Sequence, residues 1–506
     1  LQKMELLRVR FEESTRKKAK KLETKVLETK AEYGIPSWRN IVTPHPDVAS
    51  GKYQQAEFAA DLWRVYKDPN NAKEYGNPID FFQRTFLTQG LRNLLLNSIQ
   101  RLNGTGGDPV INLQTNFGGG KTHSLLALYH LFSGKDFSSV RDLEDFFKEA
   151  GSNRPAKKVN KAVIVGNRIT PGIEHAKSDG IIVRTLWGEI AWQLGKKEGY
   201  EIVRKADEEG KNPGELLGIL FKKYSPCMVL IDEWVAYVRQ LPDNGNPLGG
   251  TYGTQISFAQ AISEEAAGVE KCQVVVSLPE SDIEQGGERG KMAVQELRHV
   301  TKRTDSPWSA ATTEEAFEIV TRRLFTPIVE KEKFAQRDVI ARAFGDFYRL
   351  NKHEFPNESS TSDYEQRIKN YFPIHPELFD RLADDWASID KFQKTRGILR
   401  LMAKIIHLLW ESNDKSPIIL PAHVPIDNPQ IQEEMMHYLE DPWRAVIHKD
   451  VDSPLALPIM LDRENPNLGR FSASRRVART LFFSSAPTYD AGKRGVDDRR
   501  IKLGSI

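Results

Sequence analysis

The segment TNFGGGKT, residues 115–122, collects residue types that suit the holding of a polyphosphate. Several backbone N–H groups must point inward at once to wrap phosphate oxygens. Three consecutive glycines, Gly118, Gly119 and Gly120, permit the close approach and the positive φ values this requires. Lys121 has the reach for the β- and γ-phosphates, and the Thr122 hydroxyl suits Mg²⁺. A helix starting at His123 would aim its positive N-terminal end at the same phosphates. The expected cradle is therefore Thr115, Asn116, Phe117, Gly118, Gly119, Gly120, Lys121, Thr122 and His123, and the expected ligands are ATP and Mg²⁺. One position departs from the usual pattern: Thr115 stands where a glycine ordinarily opens such a loop. It can make the turn if its φ stays negative.

A second constellation, CMVLIDEW over residues 227–234, is an apolar run that ends in Asp232-Glu233. A carboxylate at the end of a buried strand beside the phosphate loop can hold the water shell of Mg²⁺, which is the role expected of Asp232. Glu233 next to it can polarise the attacking water as a general base. Four apolar residues before Asp-Glu say little alone; their order after the glycine loop gives them meaning. In VVVSLPESD, residues 274–282, Ser277 lies where a side chain could sense the γ-phosphate or orient the water, and a turn serine would look the same. Cys227 and Cys272 read as core strand residues, since nothing completes a metal set around them. His123 and His375 read as structural rather than catalytic.

These groups need a scaffold. PVINLQT (109–115), AVIVG (162–166), CMVLI (227–231) and CQVVVSL (272–278) are short continuous apolar runs, the pattern of strands buried on both faces of a parallel sheet. Helical stretches separate them, including one long periodic run through Phe82, Phe86, Leu91, Leu94 and Leu95 that Asn103-Gly104 should stop, and a Trp-rich run over 185–195. Alternation of this kind predicts an α/β fold with a parallel sheet wrapped by helices. Beyond Thr312 the character becomes helical. From Pro417 prolines mix with strand-like pieces such as RTLFFSS (479–485). The prolines and glycine of residues 37–53 read as a linker.

The 506 residues leave room for two to four domains. With 39% hydrophobic and 28% charged residues, the composition excludes disordered and fibrous classes. A net charge of +3 does not by itself call for a nucleic-acid partner. Two cysteines exclude a disulfide scaffold and fit a reducing compartment. No apolar run reaches the ~18–20 residues of a membrane span, and the first residues lack the apolar core of a signal peptide. The cluster RKKAKK (16–21) could meet phosphates, but with Leu22 and Val26 at helical spacing it reads as a solvated helix face.

Taken in order, the glycine loop, the acidic strand end and VVVSLPESD resemble the AAA+ ATPases of the origin-recognition-like branch, as Walker A, Walker B and the sensor-1 strand. That resemblance implies a trans-acting arginine finger, matched by Arg303, and a lid arginine, matched by Arg396 in a segment reading QKTR. More narrowly, HPDVASGKYQQAEFAADL, LQTNFGGGKTHSLLALYHL, RTLWGEIAWQLG, VLIDEWVAYVRQL and FQKTRGILRLM resemble the large prokaryotic ATPases of domain of unknown function 499, relatives of the phage-growth-limitation Y ATPases of bacteriophage-exclusion systems. The resemblance implies a P-loop NTPase core over 45–310 after an N-terminal charged helix and linker (1–44). A helical lid over 311–415 and a mixed C-terminal extension over 416–506 would follow. Family members are longer, so truncation of this chain is expected. It also implies a cytoplasmic bacterial or archaeal setting, a possible homo-oligomer, and DNA methyltransferases or other defence proteins as partners; DNA contact is possible, and no membrane is expected.

The expected activity is Mg²⁺-dependent ATP hydrolysis that drives or switches a DNA-associated complex, with Lys121, Glu233, Ser277, Arg303 and Arg396 serving catalysis and Thr122 and Asp232 the metal. An ATP-binding scaffold with little turnover and a DNA translocase of the HerA or FtsK kind are the alternatives; a small-molecule kinase lacks a legible acceptor pocket.

Overall fold

The computed structural model describes residues 35–52, 60–72, 75–115, 120–151, 154–245, 247–279, 285–301 and 312–488. The charged helix expected near the N-terminus, the loop residues Asn116, Phe117, Gly118 and Gly119, and Arg303 lie outside them. The chain divides into two compact units, one of Gln55–Ile319, the other joining residues up to Gln54 to those from Val320 onward.

In the first unit, four strands form a parallel sheet: β1 (Val110–Thr115), β2 (Asn160–Val165), β5 (Cys227–Asp232) and β6 (Cys272–Pro279). Their spatial order is β1-β6-β5-β2. The two sequence-adjacent strands β1 and β2 thus occupy opposite edges, and the chain then steps back through β5 to β6. Right-handed crossovers place connections running in opposite directions on opposite faces. The helices obey this. On one face lie α1 (Leu62–Lys67), α2 (Gln89–Asn103), α3 (Lys121–Leu131) and α4 (Arg141–Glu149). On the other lie α5 (Leu186–Glu208), α6 (Leu216–Tyr224), α7 (Trp234–Val238), α8 (Tyr252–Ala267) and α9 (Glu288–Thr301).

The strand period of two divides the apolar residues between two cores. Cys227, Val229, Ile231, Val274 and Val276 join Trp187, Trp234 and Phe258 in one. Met228, Leu230, Val275, Ile111 and Leu113 join Leu125 and Phe147 in the other. Every residue of β5 and β6 is buried, as their mostly apolar runs predict, and the polar Asp232, Gln273 and Ser277 are buried with them.

Two local features differ from expectation. The periodic run through Phe82 and Leu91 is two helices, Pro78–Gln83 and α2, because the Thr88 hydroxyl accepts from the Leu91 N–H at 3.1 Å and starts a new helix. The stop at Gly104 holds, with φ 76° at that glycine. The Trp-rich helix stops after Gly195 as expected: Lys196 is non-helical (φ 52°), and a second helical stretch, the remainder of α5, runs on to Glu208. A small antiparallel hairpin, β3 (His175–Ala176) and β4 (Ile182–Val183), follows β2 and was not expected.

In the second unit, residues 35–52 are packed rather than loose. Trp38 is fully buried, stands edge-on to Phe325 at 6.1 Å and donates from Nε1 to Asp414 at 2.9 Å. The unit's main helices are α10 (Lys331–Leu350), α11 (Thr395–Glu411), α12 (Pro429–Met436) and α13 (Ala473–Ser485). RTLFFSS is therefore the end of a helix, not a strand. Thr480, Phe482, Phe483 and Ser484 are buried along it, and Arg475 and Arg479 anchor its first half to the buried Asp452. Helix-length burial and these ion pairs outweigh the short strand-like run. No helix among the described residues is long and apolar enough to cross a membrane.

Candidate functional site

The strands of a parallel sheet all end on one edge, and their C-terminal ends, where crossovers diverge, form a natural crevice. Here β1 leads out at Thr115 and re-enters as α3 through Gly120, whose left-handed backbone (φ 84°) precedes Lys121. A Cβ at Gly120 would meet nothing, so its role is conformational. Lys121 and Thr122 form the first turn of α3, where backbone N–H groups lack helical partners.

The β5–β6 register pairs Ile231 with Val276, so Asp232 and Ser277 are the next neighbours along adjacent strands. β6 also pairs Ser277 with Leu113 of β1. Parity puts Asp232 and Ser277 on the sheet face that carries α3, and the side chains meet. Thr122 Oγ1 donates to Asp232 Oδ2 at 2.8 Å. The Ser277 hydroxyl donates to the other carboxylate oxygen. The Glu233 N–H lies 3.1 Å from Asp232 Oδ1 and 3.3 Å from Ser277 Oγ. Asp232 and Ser277 are each 3% exposed. Burial pushes the Asp232 carboxyl above its usual range, against the hydroxyls of Ser277 and Thr122 and the charge of Lys121.

Glu233 is exposed, and its backbone is left-handed at φ 56°, ψ 33°. The chain thereby turns out of β5 between a buried aspartate and the fully buried Trp234. Gly166, just past β2, donates its N–H to the Asp232 carbonyl at 2.8 Å.

The other expected residues take varied places. His123 stacks on Phe81 at 4.7 Å and reaches Thr85 Oγ1 at 3.1 Å, which anchors α3. Arg396 lies in the first turn of α11, in the other unit, with Nη1 3.2 Å from Gln393 Oε1. His375 is buried beside Tyr348, and its Nδ1 accepts from the Glu377 N–H at 3.2 Å, a structural cap as its sequence context suggests. Cys227 and Cys272 are register partners in the core.

Two residues carry more than the sequence reading gave them. Lys161 on β2 donates to the Tyr129 and Phe132 carbonyls at 2.9 and 3.2 Å, closing the C-terminal end of α3. Gly166 was visible only as the last letter of a strand run, and its contact with the turn at Glu233 needs coordinates.

Chemically, the cluster offers one buried carboxylate and two hydroxyls, of Thr122 and Ser277, at the start of a helix that a glycine opens. No group of three or more His, Cys, Asp or Glu side chains that could hold a metal occurs among the described residues. Oxygen donors so few in number suit a hard divalent ion shared with phosphates and water better than a caged one.

The DUF499 N-terminal domain matches residues 43–307, and the DUF499 second domain matches residues 311–494. No curated protein matches the chain.

Proposed function

The chain belongs to the DUF499 family, with both its N-terminal and second domains, and from that premise we propose that it is a Mg²⁺-dependent ATPase of the AAA+ kind. One observation carries this reading: the Thr122 hydroxyl at the start of α3 is bonded to the buried Asp232 at the end of β5, so the glycine-loop helix and the acidic strand share one edge of the sheet. A carboxylate in that position, raised by burial and held by two hydroxyls, is costly unless a cation compensates it.

Phosphates would lie against the first turn of α3, where Lys121 and the positive end of the helix would offset their charge. Thr122 and Asp232 would hold Mg²⁺ together with the phosphates, and the ion would neutralise charge that builds on them. Asp232 binds and orients through its two oxygens, and Ser277 keeps that carboxylate aimed. Glu233 is exposed beside it and would take the proton of the attacking water. An exposed carboxylate next to the buried one favours hydrolysis over mere binding, since a scaffold needs only the second. The output we assign is the switching of a DNA-associated complex of the defence or modification type.

Single-turnover hydrolysis of MgATP, with and without double-stranded DNA, tests this. Lys121→Ala should lose on the order of 10²–10³-fold in rate. Parent-rate turnover by that variant would remove the assignment.

A further inference from the structure

We propose that Gly166 is a positioning residue for Glu233: the missing side chain at the end of β2 is what lets Glu233 hold its left-handed turn and present its carboxylate. The inference rests on the reading of Glu233 as the base.

A glutamate at φ 56°, ψ 33° occupies a region that L-residues with a Cβ adopt reluctantly, so something must hold it there. Three contacts do. First, the Gly166 N–H fixes the Asp232 carbonyl at 2.8 Å, which keeps the strand end in register up to the turn. Second, the Glu233 carbonyl accepts from the Ala236 N–H at 3.0 Å and so opens α7. Third, Trp234 and Tyr237 of α7 are both fully buried, and the helix cannot lift away.

Into this corner Gly166 brings its bare Cα. A Cβ there would stand 2.1 Å from the Glu233 carbonyl oxygen, 2.9 Å from its carbonyl carbon and 3.1 Å from the Tyr237 Cβ. None of these atoms is the far end of a flexible side chain. The strand is tied by its ladder and α7 by its aromatic anchors. The softest coordinate left is the Glu233 backbone itself, and rotating it re-aims the carboxylate. The nearest atoms a Cβ at 166 would meet belong to Glu233 and Tyr237, whereas Gly120, Lys121 and Thr122, the groups read as binding nucleotide, follow β1, with Thr122 reaching Asp232 only through its side chain. A side chain at 166 therefore separates hydrolysis from binding.

The test compares the full chain with Gly166→Ala, Glu233→Gln, the double variant, and Gly195→Ala. The last is a control for clash alone, because a Cβ at Gly195 would meet the Tyr224 ring at 2.1 Å away from the site. Binding of a fluorescent ATP analogue with Mg²⁺ and the single-turnover rate are read for each, with melting temperature alongside. Gly166→Ala is expected to bind within about 2-fold of wild type and to turn over at least ~10-fold more slowly. Gly195→Ala is expected to lose melting temperature but not rate. In the double variant the two losses should not multiply, because Gly166 acts through Glu233. Wild-type turnover by Gly166→Ala beside a slow Glu233→Gln overturns the inference alone. So does failure of Gly166→Ala to fold, since the clash would then not relax locally. Equal rates for wild type and Glu233→Gln would remove the role of Glu233 and the inference with it.

Discussion

Thr122 and Asp232 are 110 positions apart in the chain, yet the threonine hydroxyl sits 2.8 Å from the aspartate Oδ2 and donates to it. The contact arises from topology. β1 lies one strand away from β5, the crossover helix α3 covers the face toward which Asp232 points, and the first turn of α3 ends beside the strand tips. In the proposed reading these two side chains would jointly hold the cation, and each can be varied separately.

Asp232→Asn should stabilise the nucleotide-free protein while abolishing hydrolysis. The carboxyl is raised above its ordinary 3.8 chiefly by burial. Between that value and the raised one, the folded chain keeps a proton that the unfolded chain has released, so stability declines as pH rises through the window. At neutral pH the folded state bears the full cost, and asparagine removes it. We expect a gain of about 1–2 kcal/mol, seen as a rise of roughly 2–4 °C in melting temperature per kcal/mol for a unit of this size. The gain should vanish at low pH, where Asp232 is protonated in both states. A variant that melts lower at neutral pH would contradict the electrostatic account.

Much of this site was legible before any coordinates, and the reason is physical. Strands buried on both faces are mostly apolar, so β1, β2, β5 and β6 stand out as runs, and Asp232 marks the end of the apolar run in β5. Ser277 falls on the expected strand, but its partnership with Asp232 depends on register, and register between strands buried on both faces leaves little mark in their sequences. The turn at Glu233 was hidden for a similar reason: nothing about the letters DEW signals a positive φ, and the glycine that allows it sits on another strand. In the second unit, RTLFFSS misled because Thr, Phe and Leu suit strands by propensity. Asp452, a partner from outside the run, ties the helix down. Trp38 likewise sat among prolines that look like a linker, and only Asp414, Phe325 and Trp410 explain its burial.

Thr122→Ser and Thr122→Val separate hydroxyl from shape. Serine keeps the oxygen that reaches Asp232, so Mg²⁺-dependent hydrolysis should stay within a few-fold of wild type. Valine keeps the branched volume, loses the hydrogen bond and leaves the buried carboxylate one donor short. A drop of roughly 10–10²-fold in rate, with a higher Mg²⁺ requirement, is the expected result. A Mg²⁺ titration at saturating ATP measures both, and equal behaviour of the two variants would deny Thr122 a part in metal binding.

Ser277→Ala should move the pH dependence of hydrolysis in a defined direction. The serine donates to Asp232, which favours the ionised carboxylate, and its oxygen lies 3.3 Å from the Glu233 N–H. Without that donor the Asp232 carboxyl rises further, so the acidic limb of the rate profile should shift to higher pH. At neutral pH the rate should fall by about 10-fold, and Ser277→Thr should recover most of it. A uniform fall with an unmoved acidic limb would point to lost packing instead.

The buried Asp452 predicts how the second unit comes apart. Its carboxylate takes Arg475 Nε at 2.7 Å and Arg479 Nε at 2.5 Å, and it also accepts from the Asp427 N–H at 3.2 Å. Asp427 supplies a second carboxylate to both arginines, at 2.9 and 2.7 Å. Asp452 is fully buried, and the Arg479 side chain is 11% exposed. Asp452→Asn would keep the shape yet leave two guanidinium groups facing a neutral amide, with Asp427 half-exposed as their remaining counter-charge. Breaking a buried pair in this way costs on the order of 3–5 kcal/mol, most of it the burden of the stranded charge. Two compact units are expected to unfold in separable steps, so urea melts followed by tryptophan fluorescence should show one transition moved to lower urea and the other in place. Removing the positive charges together, in Asp452→Leu with Arg475→Met and Arg479→Met, should restore most of the loss, because no ion is then left buried without a partner. If the triple variant were as weak as Asp452→Asn, the helix α13 would be held by the exact shape of the network rather than by its charge balance.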